Sequence, residues 1–287
     1  MTDLEHVNIY SPSQTKLWME CPYKWYLSRV AKYESRYIEK RHLAALVGQS
    51  YGLGMAHYFR SGRTLNVDQV VDIVQNNWDH ELSTARQTRE LQADDLAIKY
   101  PGYFRKMIER TLASEEFIPE SWEVSAVEEL VGGDTHKAYI DLGGKDNARR
   151  DFFWDFKCKM YCVTRSVPFK LAEYEYDWQM LHYAWAYSET IGRFVDTYYI
   201  GMMVVQPTTR LYVRAFYVTP EVVTQWLTSA VTHWKAMTLA EERLKDPDTD
   251  PLEVAPMTNE HHKFGKCSHF GLCFHEGADN FIQIERT

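Results

Sequence analysis

The sequence lacks long apolar runs, has no excess of positive charge and contains few cysteines. No apolar stretch approaches the ~20 residues of a membrane span, which argues against a membrane partner. The opening "MTDLEHVNIYSPSQ" has neither a basic n-region nor an apolar h-region. No secretory signal is read there, and a cytoplasmic location is expected. The net charge of −8 argues against a protein that coats nucleic acid non-specifically, although a narrow basic path stays open. The local basic clusters "RYIEKRH" and "NARRDF" read as solvated surface. The five cysteines, an odd number, are Cys21, Cys158, Cys162, Cys267 and Cys273. That count argues against a disulfide framework and leaves metal binding or buried thiols. Internal repeats and low-complexity segments are also absent.

What is present is an ordinary globular composition, 45% hydrophobic and 25% charged over 287 residues. In "SPSQ", Ser11 is placed to cap a helix with Pro12 at its first position and Gln14 completing a capping box. Pro22 should stop that helix at Cys21 and allow a second to start. Residues 42–62, 66–92 and 94–117 carry helical spacing, with "YPG" as a break in the last. The character then changes. Residues 121–133, 136–144 and 149–160 are strand-like and separated by Gly, Asp and Asn turn signals. A helix is expected over 173–192, two strands over 196–219 joined at "QPTTR", and a long helix over 220–246. The expected fold class is α/β: a central mixed sheet flanked by helices. We expect a helical portion over 1–120, an α/β core over 121–246 and a Cys/His-containing tail over 247–287, within one compact domain.

The stretch "FFWDFKCKM" carries the chemistry. In a strand, Asp155 and Lys157 point to the same face. An unpaired charge in a core strand is costly. On its own, a buried Asp–Lys ion pair accounts for the arrangement. Asp141, one strand earlier, offers a second reading. Two carboxylates meeting at neighbouring strands suit Mg²⁺, with a lysine beside them to orient water and stabilise charge on a phosphate.

The arrangement D-x₁₃-D-x-K resembles the PD-(D/E)XK nuclease superfamily, in its RecB-like branch. Further motifs fall in order: "SPSQTKLWMECPYKWYL", "GLGMAHYF" with His57, an acidic Glu128 or Glu129, and "YDWQMLHYAWA" with Gln179 and Tyr183 in a Q-x-x-x-Y pattern. The first aspartate motif here reads Ala138-Tyr139-Ile140-Asp141, without the small leading glycine of the family pattern. The resemblance runs from about residue 10 to residue 275 and implies a restriction-endonuclease-like fold. It also implies a metal-dependent DNA exonuclease using Mg²⁺ or Mn²⁺. His57, Asp141 and Asp155 would be metal ligands, Glu128 would act through water, Lys157 would assist the nucleophile, and Gln179 and Tyr183 would lie beside the DNA. Expected partners are linear or single-stranded DNA ends and a recombination or annealing protein, in a bacterial or phage-infected cell. Trp18, Trp25 and Tyr26 are read as core, with stacking on unpaired bases as the alternative.

Some nucleases of this group, including phage and CRISPR-adaptation types, hold a [4Fe–4S] cluster with one cysteine near the N-terminus and three near the C-terminus. By that resemblance, Cys21, Cys267 and Cys273 are ligands, and His261 stands where the remaining cysteine is expected. A Cys₃His set also suits structural Zn²⁺. Cys158 and Cys162 are read as buried thiols. Two other readings stay open: a non-catalytic DNA-binding subunit on the same fold, and a structural zinc or iron–sulfur protein.

Overall fold

A computed structural model describes residues 8–132, 138–258, 270–273, 279 and 281–283. The elements run α1 (Pro12–Glu20), α2 (Pro22–Trp25), β1 (Tyr33–Ser35), β2 (Tyr37–Ile38), α3 (Lys40–Arg60), α4 (Val67–Arg86), β3 (Glu90–Leu91), α5 (Asp94–Lys99) and α6 (Phe104–Leu112). They continue with β4 (Glu123–Val131), β5 (Ala138–Lys145), β6 (Asp151–Tyr161), α7 (Val167–Ala172), α8 (Trp178–Ile191), β7 (Thr197–Gln206), β8 (Arg210–Tyr217), α9 (Pro220–Arg243), α10 (Pro251–Val254), α11 (Phe270–Cys273) and β9 (Phe281–Gln283). Among the described residues, no helix is long and apolar enough to cross a membrane. The chain divides into two compact units.

Among the described residues, one unit joins 8–37 to the segments that follow residue 220. Ser11 caps α1 as its sequence predicts, accepting from Gln14 N–H at 3.4 Å. Cys21 ends α1 in an extended conformation and starts α2, the joint that Pro22 demands. Helix α2 runs on into a single π-turn over Tyr26–Val30. Helix α9 closes against this N-terminal segment: the Trp234 indole donates to Thr15 Oγ1 (3.0 Å), and Tyr10 donates to Glu241 Oε2 (2.6 Å). Trp25 is buried, with Trp18 edge-on to it at 5.1 Å, so both indoles serve packing. Strand β1 pairs antiparallel with β9.

The other unit holds a five-stranded sheet in the order β4-β5-β6-β7-β8. Only β6 and β7 run parallel; the other neighbours are antiparallel. This is the mixed sheet that the alternating strand and helix signals predict. Helices α3 and α6 cover one face, and α4 packs on both of them. Helix α4 is capped by reciprocal bonds between Asn66 and Gln69, and it buries Val70, Val74, Trp78 and Leu82, a stripe spaced by four. Gly54 lets α3 and α4 approach, since a Cβ there would meet Val74 at 2.4 Å. Helix α8 covers the other face and is buried continuously from Met180 to Tyr187. Gly143 on β5 admits it, because a Cβ there would meet the Tyr187 hydroxyl at 2.6 Å.

Two boundaries differ from the spacing-based expectation, and one break agrees with it. The helix expected over 66–92 ends at Arg86, and the chain then enters the short strand β3. The segment expected over 94–117 breaks at "YPG", as read, into α5, a 3₁₀ turn over Tyr100–Tyr103, and α6. The helix expected from 173 starts only at Trp178, because Tyr176 takes a positive φ of 56° and Asp177 caps the helix through Gln179 N–H (2.8 Å).

Asp146 fixes the turn between β5 and β6. Its Oδ1 accepts from Ala148 N–H (2.8 Å) and Arg150 N–H (3.0 Å), and its Oδ2 from Arg150 Nε (2.9 Å). Burial pushes its pKa up, but the bonds from Arg150 and Ala148 outweigh this and hold it below the usual carboxylate value. Asp146→Ala is expected to cost about 1–2 kcal/mol in urea denaturation near neutral pH. The contribution of a depressed acid is present above its unfolded pKa and lost as pH falls through the folded value. The gap between wild type and variant should therefore close in strong acid. A gap independent of pH would contradict the assignment.

Candidate active site

Strand β6 alternates with period two. Phe152, Trp154, Phe156, Cys158 and Met160 turn to the core beneath α3. The thiol of Cys158 is thus buried, and burial raises its pKa to about 12. Phe153, Asp155 and Lys157 turn to the opposite face. There Phe153 meets the Tyr183 ring at 6.1 Å, and Lys157 Nζ donates to Gln179 Oε1 at 3.0 Å.

The carboxylates meet at a fork in the sheet. Pairing between β5 and β6 runs from Lys145–Asp151 to Leu142–Trp154 and then stops. The next position along the two strands holds Asp141 and Asp155. Beyond it β5 pairs only with β4, and β6 only with β7. The parting strands leave Phe156 N–H without a ladder partner, and Asp141 Oδ2 takes that proton at 2.6 Å. On the outer side, Glu128 falls between the pairs Val127–Leu142 and Glu129–Ile140, across from Asp141. It has φ 43°, and its carboxylate lies 3.8 Å from Arg60.

Lys157 Nζ lies 2.6 Å from Asp155 Oδ2. Asp155 is 2% exposed, and this oxygen has no hydrogen bond of good geometry. Gln179 Nε2 donates to Tyr183 Oη at 2.6 Å, so Lys157, Gln179 and Tyr183 form one chain of contacts. The Tyr174 ring lies 5.6 Å from Lys157 Nζ. Burial raises the Asp155 pKa against the opposing pull of Lys157. Burial, and then the Asp155 charge, push Asp141 up to about 8. Burial disfavours the Lys157 charge, but the adjacent Asp155 outweighs it and holds the ammonium protonated above the usual lysine value. Two enclosed carboxylates against one ammonium leave a site short of positive charge. Such a site suits a hard divalent cation with oxygen ligands.

The structure therefore brings together Asp141, Asp155, Lys157, Gln179 and Tyr183, with Glu128 across from Asp141. His57 is exposed on α3. Among the described residues, no three His, Cys, Asp or Glu side chains form a metal-holding group. Cys21 is buried and Cys273 half-buried, and neither forms a disulfide among the described residues. His261 and Cys267 lie outside the described residues. Sequence reasoning missed Asp177, whose charge raises the Asp155 pKa, and Tyr174 over the lysine. The helix-capping position of Asp177, just before "WQMLHY", was the available signal.

The family model of the PD-(D/E)XK nuclease superfamily matches residues 9–273. Solved structures similar to this chain include an exonuclease candidate from Eubacterium rectale (12% identity, 85% of this chain and 83% of that one, TM-score 0.49). They also include the alkaline exonuclease LHK-Exo from Laribacter hongkongensis (13%, 72% and 97%, TM-score 0.32) and a phage-related exonuclease from Haemophilus somnus (14%, 84% and 98%, TM-score 0.34). No curated protein matches the sequence. The family match spans the forked strands and the helix whose Gln179 contacts Lys157, and on it the chain belongs to the PD-(D/E)XK nuclease superfamily and is a nuclease.

Proposed function

We propose that the chain is a metal-dependent deoxyribonuclease that degrades linear DNA from its ends. The observation that carries this reading is the fork, where Asp141 and Asp155 meet beside an ammonium fixed by Gln179. Asp141 and Asp155 would hold Mg²⁺ or Mn²⁺, with Glu128 acting through water and His57 as the further ligand implied by the family pattern. When bound, such an ion supplies a water of lowered pKa and neutralises charge at the phosphate. Lys157 presents a preorganised positive charge to the phosphoryl oxygens. Gln179 and Tyr183 keep that ammonium in place. Attack on the end rather than the interior of a strand rests on the RecB-like resemblance.

The test is degradation of end-labelled linear DNA and of circular DNA, with Mg²⁺, with Mn²⁺ and with EDTA. Loss of label from linear DNA only, abolished by EDTA and by Asp155→Ala, is expected. Cutting of circular DNA would replace the exonuclease reading by an endonuclease. Metal-dependent activity that survives Asp155→Ala would sink the site assignment.

We also propose that Cys21, His261, Cys267 and Cys273 hold a [4Fe–4S] cluster, with Zn²⁺ as the alternative. In support, Cys21 is buried and free at the α1–α2 joint. Cys273 lies within electrostatic range of Tyr23, two residues along. A ligand set drawn from both ends would close a long loop. Anaerobic purification should give a brown protein with visible absorption and iron on elemental analysis. Zinc without colour would select the alternative, and neither metal would remove both.

A further inference from the structure

Strand β6 does not end its chemistry at Lys157. Phe156, Cys158 and Met160 pack against the core. The intervening residues Asp155, Lys157, Lys159 and Tyr161 therefore share the opposite face. The register with β7 supports this, since Lys159 pairs with Val204 and Tyr161 with Gln206 without a change of phase. Same-face neighbours on a strand are ~6.6 Å apart, a step comparable to that between successive phosphates of a nucleic-acid strand. Lys159 has no ion-pair partner among the described residues, unlike Lys157 with Asp155 and Lys170 with Glu173. Tyr161 is 67% exposed, at the far end of the row. Past the fork, the β5-side edge of this half of β6 carries no strand pairing.

We propose that Lys159 and Tyr161 form a nucleotide subsite that continues from the active site. Lys159 takes the phosphate next to the scissile one, and Tyr161 stacks on an unpaired base of the same strand. The proposal rests on the nuclease reading of Asp155 and Lys157 and extends it to single-stranded character in the bound segment. A mobile ammonium serves as a point charge for phosphate. An exposed phenol ring offers a sequence-tolerant platform for a base freed from its own stack. In a chain of net charge −8, non-specific attraction of the whole molecule for nucleic acid is weak, so a short row of cation and aromatic beside the site is how it would hold a strand.

The test uses the full-length protein and a fluorescently labelled single-stranded oligonucleotide. Binding is followed by anisotropy at several salt concentrations. Ca²⁺ is included as a hard cation that takes the same oxygen ligands. Tyr161→Ala should weaken binding about 10-fold, and Tyr161→Phe, which keeps the ring, should restore it. Lys159→Ala should reduce the steepness of the log–log salt dependence by about 0.7, the loss of one phosphate contact on a single strand, and Lys159→Arg should keep it. Wild-type affinity in Tyr161→Ala together with a wild-type salt slope in Lys159→Ala would overturn the subsite. The readout is separate from cleavage. If the oligonucleotide binds with these losses but is cut under neither Mg²⁺ nor Mn²⁺, the catalytic reading fails and the subsite stands.

Discussion

Lys157→Ala is expected to lower the rate of DNA hydrolysis by about 10²–10³-fold, the size of loss seen when one preorganised electrostatic donor is removed. Two features make this lysine hard to replace. Its charge persists in a buried setting because Asp155 lies 2.6 Å away. Its position is fixed by Gln179, itself tied to Tyr183. A solvent cation would have neither the place nor the orientation. The variant also leaves two carboxylates facing each other without an ammonium. Asp141 already has its pKa raised, so it contributes stability below its unfolded pKa, and that contribution is lost as pH rises through about 8. Without Lys157 both carboxyls should shift further upward. The metal-free variant should then melt below wild type by a margin that widens above about pH 8, where the wild-type carboxyl has ionised and the variant's has not. Activity within a few-fold of wild type would remove Lys157 from the catalytic set. A uniform melting deficit would instead point to lost packing.

Trp154→Ala is expected to cost about 3–5 kcal/mol in urea denaturation, the largest stability loss anticipated on β6. The indole is 1% exposed and stacks on Tyr199 at 5.6 Å, with Phe117 edge-on at 6.3 Å. It also fills the space that Gly201 leaves, where a Cβ would meet the indole at 2.7 Å. Its Nε1 is buried without a hydrogen bond, so the ring's worth lies in packing. Trp154→Phe should be milder, since it removes the unsatisfied donor along with part of the volume. A loss below about 1 kcal/mol for the alanine variant would mean that the sheet–helix interface collapses around the gap. Because Trp154 precedes Asp155, the alanine variant tests whether the core face sets the geometry of the other face. Activity should fall further than the unfolded fraction explains.

Much of this arrangement was legible from sequence because strands impose a parity. "FFWDFKCKM" alternates between two faces, and a charged pair two residues apart had to emerge together from a strand otherwise built for the core. The Gln179–Tyr183 spacing placed both on one turn of a helix. The fork was not legible. It depends on where β5 and β6 stop pairing, a property of two segments that no local pattern records. The capping of Phe156 N–H by Asp141 was hidden for the same reason. The start of α8 was misplaced because residues 173–176 carry helical spacing. The positive φ at Tyr176 and the Asp177 cap, both local backbone events, decide the boundary.

The separations along the chain carry a consequence for order of assembly. The bonds that build the fork and hold its lysine span 15 and 22 positions, whereas Tyr10 reaches Glu241 across 231. Closing a short loop costs less entropy than closing a long one, and contacts of low sequence separation form sooner. During vectorial synthesis every residue from Asp141 to Tyr183 has emerged while α9, the partner of the first helix, is still being made. The candidate site is thus a local product of the middle of the chain, and the contact of Tyr10 with Glu241 cannot form until α9 has been made.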